Sequence, residues 1–155
     1  MLPRVSVFSL GGTIAMGAAT SGKGVSLSHS AEMLIAALPA LADIAEIEAQ
    51  SFRQLPSPDI TIADLEALAR EINRRFDDGV RGVVVTQGTD TIEESAFVID
   101  RLVQSDAPVV FTGAMRNPTM PGPDGPANLY HAVLTALDQQ ARGIGTMVVV
   151  NDEIH

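Results

Sequence analysis

The chain has 155 residues, of which 46% are hydrophobic and 19% are charged, as in an ordinary globular domain with a sizeable core. Its 10 Lys and Arg against 19 Asp and Glu give a net charge of −9, which argues against a nucleic-acid partner, because a phosphate backbone attracts a basic surface. The absence of cysteine excludes disulfides, thiolate zinc sites and a cysteine nucleophile.

The N-terminal segment carries no secretion signal that we recognise. Met1–Arg4 leads directly into an apolar stretch, without a basic region or a small-residue cleavage site, and this favours a cytoplasmic protein. No apolar run approaches the roughly 18 to 20 residues that a membrane helix needs. We therefore expect no association with a membrane.

The first half of the chain predicts two strands and two helices. In chain order these are a strand at Val5–Leu10, a glycine-rich mobile loop at Met16–Val25, a short helix at Ala31–Leu38, a strand at Ile44–Ala49 and a long helix from Thr61 to Gly79. Ser28 or Ser30 can cap the short helix, whereas Thr61 with Asp64 forms a capping box for the long one. The long helix places its apolar side chains at helical spacing: Ile62, Leu65, Leu68, Ala69, Ile72 and Phe76.

The second half repeats the alternation. In chain order the pattern predicts a strand at Val83–Val85, a helix at Thr91–Gln104, a strand at Pro108–Thr112, a loop at Gly113–Gly125, a helix from Pro126 to about Ala141 and a strand at Thr146–Val150. Thr91 with Glu94 predicts a second capping box, and the inner face of that helix would carry Ile92, Ala96, Ile99 and Val103. Alternating strands and helices of this kind predict a three-layer α/β/α domain with a mainly parallel sheet.

Two turns that follow predicted strands carry the most reactive side chains. Gly11 and Gly12 allow a sharp turn that leaves Thr13 prominent, and the Val83 strand runs into Thr89 and Asp90. In open α/β sheets ligands bind beyond the carboxyl ends of the strands. We therefore expect the two turns to share one cleft.

The two turns resemble the signatures of a known family. Gly-Gly-Thr-Ile-Ala at 11–15 and Thr-Gln-Gly-Thr-Asp-Thr-Ile-Glu-Glu-Ser at 86–95 are similar to the two motifs of the bacterial-type L-asparaginases, amidohydrolases with a threonine nucleophile. The resemblance covers residues 1–155 and implies the family's N-terminal domain, with a flavodoxin-like fold. It also implies an amino-acid amide as substrate, no metal or cofactor, and a homo-oligomer, dimeric or tetrameric, in the full-length form.

The resemblance assigns a role to each matching residue. Thr13 corresponds to the nucleophile, and Thr89 to the group that positions and activates the attacking group or water. Asp90 belongs with Thr89 to the family's second catalytic group and also corresponds to the carboxylate that binds the substrate's α-ammonium. Ser57 corresponds to the serine that binds its α-carboxylate. Ala114 corresponds to the backbone carbonyl that accepts a hydrogen bond from the leaving amide.

Two departures from the family pattern concern groups around the substrate and the nucleophile. Pro58 follows Ser57 where the family often has Gln, so one substrate contact differs. Many members have a tyrosine in the loop after the first threonine, whereas the only tyrosine here, Tyr130, lies on a predicted helix where we expect a core residue. The loop instead offers three hydroxyl side chains, those of Thr20, Ser21 and Ser26, and leaves open which group orients Thr13.

The third departure concerns the base. Family members pair the second threonine and the aspartate with a lysine whose position would follow His155, and the only lysine here is Lys23, in the glycine-rich loop. General-base help is worth roughly 100- to 10,000-fold. We therefore expect a truncated chain, without the family's C-terminal domain, that hydrolyses asparagine weakly or not at all.

The histidines and the polar side chains of the loop after Thr112 give weaker signals, and two other functions fit the sequence. His29, His131 and His155 are expected to have no catalytic role, and Asn117 and Asp124 are expected to stabilise their loop. One alternative function is the glutamine-hydrolysing subunit of a tRNA-linked amidotransferase, although the acidic charge offers tRNA nothing. The other is a non-catalytic module that binds an amino acid or a partner, which binding without turnover would distinguish.

Overall fold

The computed structural model of the protein describes residues 1–18, 25–27 and 30–155. The strands are β1 (Arg4–Ser9), β2 (Met16–Ala18), β3 (Val25–Leu27), β4 (Glu46–Ser51), β5 (Gly82–Thr86), β6 (Val109–Thr112), β7 (Thr146–Val150) and β8 (Glu153–Ile154). The α-helices are α1 (Ala31–Ala36), α2 (Ile62–Asp77), α3 (Ile92–Leu102) and α4 (Gly125–Leu137). Within the described ranges, every helix is too short or too polar to cross a lipid bilayer.

Six strands form one sheet in the order β4-β1-β5-β6-β7-β8. The first five are parallel and β8 runs antiparallel to β7. Taken in chain order, the parallel strands have the flavodoxin-like order 2-1-3-4-5, which reverses direction between β1 and β5. Ser9, Thr86 and Thr112 are in register, so the carboxyl ends of β1, β5 and β6 lie level at the switch point.

Helices cover both faces of the sheet. Val5 and Val7 of β1 pack in a cluster with Leu34 of α1 and Leu129 of α4. Phe8 points to the opposite face and packs with α2 and α3. Since fully burying such a side chain is worth about 1.5–3 kcal/mol, these two clusters hold the layers together. The predicted three-layer α/β/α architecture is therefore confirmed.

The predicted N-caps of α1 and α2 are confirmed for the candidate residues that the structure describes. Thr61 Oγ1 accepts a hydrogen bond from the Asp64 N–H at 3.2 Å, and the Asp64 carboxylate accepts one from the Thr61 N–H at 3.1 Å. Ser30 Oγ accepts from the Met33 N–H at 3.3 Å and caps α1, whereas Ser28 lies outside the described residues. Along α2, Leu65, Leu68, Ala69 and Ile72 are buried as predicted, but Ile62 is exposed.

The predicted capping box at Thr91 is wrong. Thr91 precedes α3, but its hydroxyl makes no cap hydrogen bond to the helix. It donates instead to the carbonyl oxygen of Ser57 at 3.0 Å and accepts from Gln87 Nε2 at 3.3 Å. A tertiary contact has therefore displaced the local one that the sequence pattern predicted.

Three further details of the structure differ from the sequence predictions. The ends of the predicted loop Met16–Val25 are strands, because β2 and β3 pair antiparallel, and residues 19–24 lie outside the described residues. Beyond β7 the chain forms a hairpin that the sequence analysis missed: Asn151 and Asp152 have φ of 54° and 63°, the left-handed values of a two-residue turn, and β8 follows. The helices α1, α3 and α4 end at Ala36, Leu102 and Leu137, two to four residues before the predicted ends.

Candidate active site

The two threonine turns meet at the switch point of the sheet. Gly12 has a φ of +85°, and a Cβ placed on it would lie 2.2 Å from the Gly88 nitrogen and 2.5 Å from Gly88 Cα. The backbones of the two turns are thus in direct contact, which only glycine at position 12 permits. Thr13 and Thr89 each follow one of these glycines and open a short 3₁₀ turn, so the two turns that carry the threonines lie against each other.

Ser57 packs against Gly88, where the two turns are in contact. It is 3% exposed, and a Cβ placed on Gly88 would lie 2.8 Å from its Oγ. The segment before it is held beside β1, because the Leu55 N–H donates to the Leu10 carbonyl at 2.9 Å. Among the described residues, Ser57 Oγ has no hydrogen-bond partner. Because an unpaired buried hydroxyl costs about 1–3 kcal/mol, a hydrogen-bond partner for this atom would be favourable.

The loop after β6 packs against the Thr89 turn. A Cβ placed on Gly113 would lie 2.7 Å from the Gln87 carbonyl oxygen and 2.9 Å from Thr89 Cγ2. The next residue, Ala114, is buried, and it lines a cleft of about 550 Å³ together with Thr89 and Asn151. The backbone of Ala114 is therefore close to Thr89.

The polar side chains of the two turns are accessible from solvent. Thr13 and Thr89 are half-buried, and Asp90, one residue later, is exposed. The Thr89 hydroxyl makes a long contact of 3.6 Å with Met115 Sδ, which is a weak acceptor. Both hydroxyls and the carboxylate can therefore meet a small polar molecule that enters from the sheet edge.

Asn128 was missed by the sequence analysis and supports the loop after β6. It is buried on α4, and its Nδ2 donates to the Gly113 carbonyl at 2.9 Å while its Oδ1 accepts from the Asn151 N–H at 3.1 Å. One amide thus joins the loops that follow β6 and β7. The available signal was an uncharged polar residue among the apolar positions of a helix, which by itself does not name its partners.

Asp124 has the loop-stabilising position that we expected. Its carboxylate accepts hydrogen bonds from the N–H groups of Met115 at 3.0 Å and Arg116 at 2.8 Å. Burial raises the pKa of this carboxyl group, but the backbone donors outweigh burial and the net pKa is below its ordinary value. The side chain therefore stays ionised and fixes the loop beside Ala114.

Several residues weighed for a role lie elsewhere or outside the described residues. Tyr130 packs against the core from α4, as expected, and His131 on the same helix lies 3.1 Å from the Asp152 carboxylate. Lys23, Thr20 and Ser21 fall outside the described residues, as do His29 and the side chain of Ser26. Across the part of the chain that the structure describes, His, Asp and Glu side chains nowhere gather in a group of three that could hold a metal ion.

The family model for the N-terminal region of asparaginases matches residues 4–155. The chain belongs to the asparaginase family. Among curated relatives of this asparaginase-family chain, L-asparaginase 2 of Bacillus subtilis is 42% identical over 159 residues, covering 99% of this chain and 42% of that protein. L-asparaginase 2 of Escherichia coli is 40% identical, covering 99% of this chain and 44% of that protein. A glutaminase-asparaginase of Acinetobacter glutaminasificans is 40% identical, covering 97% and 46%.

Solved structures agree with this assignment. The crystal structure of a probable cytoplasmic L-asparaginase from Campylobacter jejuni superposes with a TM-score of 0.91 at 36% identity, covering 98% of this chain and 47% of that one. The fold of this asparaginase-family chain is thus shared with a solved family member. The chain spans less than half the length of the relatives that it matches.

Proposed function

We propose that this chain provides the threonine-bearing part of a site that hydrolyses L-asparagine to L-aspartate and ammonia. The observation that carries the proposal is the backbone contact between Gly12 and Gly88, which brings together the turns of Thr13 and Thr89 where the strand order reverses. The family assignment supports the same reaction, since the relatives are named L-asparaginases or glutaminase-asparaginases.

In the proposed reaction Thr13 is the nucleophile. Its hydroxyl oxygen attacks the side-chain amide carbon of asparagine, the carbon–nitrogen bond breaks, and ammonia leaves with the proton that the hydroxyl has lost. The ester on Thr13 is then hydrolysed by water, which releases aspartate and restores the hydroxyl. Thr89 would position the attacking group and then the water, and its backbone N–H would stabilise the oxyanion.

The charged ends of the amino acid are bound by neighbouring groups in this proposal. The Ser57 hydroxyl, buried and unpaired among the described residues, would donate to the α-carboxylate. The exposed carboxylate of Asp90 would accept from the α-ammonium in a charge-assisted hydrogen bond. The Ala114 carbonyl would accept from the leaving amide. No metal or cofactor is needed for any of these steps.

The general base is the part of the mechanism that these residues leave open. The family pattern places a lysine after the position of His155, and the only lysine in the sequence is Lys23. Since positioned base catalysis contributes roughly 100- to 10,000-fold, we expect the 155 residues alone to turn over asparagine weakly. We also propose a cytoplasmic location and a homo-oligomer, which cell fractionation and light scattering would test.

An ammonia-release assay with asparagine and glutamine tests the proposal. It should compare these 155 residues with a chain extended through the lysine and second domain that the family pattern places after them. Asparagine turnover by the extended chain supports the proposed function, and glutamine measures substrate choice, because one methylene is worth only about 1–3 kcal/mol in a pocket. No ammonia from either substrate, with no binding of aspartate by calorimetry, would refute it. Binding without turnover would instead identify an amino-acid-binding module.

A further inference from the structure

We infer that Gln87 and Thr91 are positioning residues that hold Ser57 in place for the substrate's carboxylate. This inference rests on the proposed function, because it takes Ser57 as a ligand of the amino acid. Its starting point is the hydroxyl of Thr91, which occupies a helix N-cap position but donates to the carbonyl oxygen of Ser57 at 3.0 Å, a contact that spans 34 residues.

The direction of this hydrogen bond is set by Gln87. That side chain is fully buried, and its Nε2 donates to Thr91 Oγ1 at 3.3 Å and to the Thr91 carbonyl at 3.2 Å. A threonine hydroxyl has one proton, and the amide donor already occupies one of its lone pairs. The proton is therefore directed away from Gln87, and the Ser57 carbonyl accepts it.

The backbone of Gln87 is itself fixed to the sheet. Its N–H donates to the Thr112 carbonyl at 3.0 Å, and its carbonyl oxygen lies under Gly113, where a Cβ would approach it to 2.7 Å. The contact thus runs from the centre of the sheet, through Gln87 and Thr91, to Ser57. Thr91 also ends the same 3₁₀ turn that begins at Thr89.

The arrangement connects substrate binding to the catalytic turn. The Ser57 carbonyl also accepts from the Ile60 N–H at 3.1 Å, so the backbone of the serine turn is held at one oxygen from two sides. The Ser57 side chain then packs on Gly88, one residue before Thr89. Losing the Thr91 hydroxyl would release the serine turn from the Thr89 turn while leaving both threonines Thr13 and Thr89 unchanged.

The test compares Thr91→Val, which removes the hydroxyl at nearly constant shape, with Thr91→Ser, which keeps it. The protein used is the chain extended through the lysine and second domain that the family pattern places after these residues. The matched control is Thr135→Val. Thr135 donates its hydroxyl to the His131 carbonyl within α4, ten residues from the helix start, or about 15 Å along the helix axis. Ammonia release gives kcat and KM for asparagine, calorimetry gives the Kd of aspartate, and urea unfolding confirms that each variant is folded.

For Thr91→Val we expect KM and the aspartate Kd to rise about tenfold while kcat changes less than about threefold, because the Ser57 carbonyl loses the one of its two donors that ties it to the Thr89 turn. Thr91→Ser and Thr135→Val should behave like the unmodified chain, and Gln87→Met should move KM and Kd in the same direction as Thr91→Val. Unchanged KM and Kd in Thr91→Val, or an equal rise in Thr91→Ser, would overturn the inference while leaving the proposed function intact. An unmodified chain that neither binds aspartate nor releases ammonia would overturn the proposed function, and this inference with it.

Discussion

Replacing Gly12 by Ala should separate the two threonine turns. The added Cβ would lie 2.2 Å from the Gly88 nitrogen and 2.6 Å from the Gln87 carbonyl carbon, both backbone atoms that cannot move aside as a flexible side chain would. Gly79 provides a matched control, because it has the same φ of +85° and a Cβ there would meet nothing within 4 Å. The pair of substitutions therefore differs only in the contact between the turns.

Two costs determine how much each substitution lowers the free energy of unfolding: the left-handed backbone conformation and the overpacking against neighbouring atoms. A non-glycine residue in the left-handed region costs roughly 1–2 kcal/mol, and both substitutions incur that cost. Overpacking against fixed neighbours costs a further 1–3 kcal/mol, roughly, and only Gly12→Ala incurs it. Gly12→Ala should thus lower the free energy of unfolding by about 2–5 kcal/mol, against a typical total of about 5–15 kcal/mol.

Urea unfolding followed by far-ultraviolet circular dichroism measures the difference, and aspartate binding by calorimetry reports on the site. Gly79→Ala should bind like the unmodified chain, whereas Gly12→Ala should bind more weakly even under conditions where it is fully folded. If Gly12→Ala were no less stable than Gly79→Ala and bound aspartate normally, the two turns would not be in the contact described, and the site built on that contact would be wrong.

Two other predictions concern stability. Asp64 has a pKa lowered from 3.8 to about 2 by the hydrogen bond from the Thr61 hydroxyl and then by Arg53, so its contribution is complete above about pH 4 and is lost as the pH falls through 2. Asp64→Asn should therefore be about 1 kcal/mol less stable at pH 7 by urea midpoints. The difference should shrink as the pH falls through 2, where the native carboxyl group is half protonated, and a difference independent of pH would contradict this. Asn128→Ala leaves the buried Gly113 carbonyl unpaired and should cost about 2 kcal/mol in the same assay, and a cost below 0.5 kcal/mol, roughly, would show that the loop re-pairs.

The capping boxes illustrate what the sequence can and cannot predict about this fold. At Thr61 both partners of the box lie within three residues, and Arg53 binds the other oxygen of the Asp64 carboxylate, so it leaves the box intact. At Thr91 the same local pattern is present, but Ser57, 34 residues away, takes the hydroxyl. A capping box can be predicted from the sequence when no distant group takes the cap hydroxyl. The prediction fails when the fold brings such a group close, as it brings Ser57 to Thr91.

Some residues of the candidate site could likewise be predicted from the sequence, and others could not. Thr13 and Thr89 could be identified because each follows a strand, and the carboxyl ends of parallel strands lie at one sheet edge. Asn128 could not, because its partners Gly113 and Asn151 are 15 and 23 residues away and are backbone groups, which leave no trace in the side-chain pattern. Asn151-Asp152, directly after the apolar run of β7, was a readable hairpin signal, because both residue types tolerate the left-handed conformation.

The central claim is that Thr13 is the nucleophile of an asparagine-hydrolysing site. Ammonia release from asparagine, measured for the extended chain and for its Thr13→Ala variant, tests this claim most directly, with rapid acid quenching and peptide mass spectrometry to locate any aspartyl ester. We predict turnover and an ester on the Thr13 peptide in the unmodified chain, and a loss of both in the variant, which should still bind aspartate because Ser57 and Asp90 remain. Turnover that persists in Thr13→Ala, or an ester found on another residue, would contradict the account.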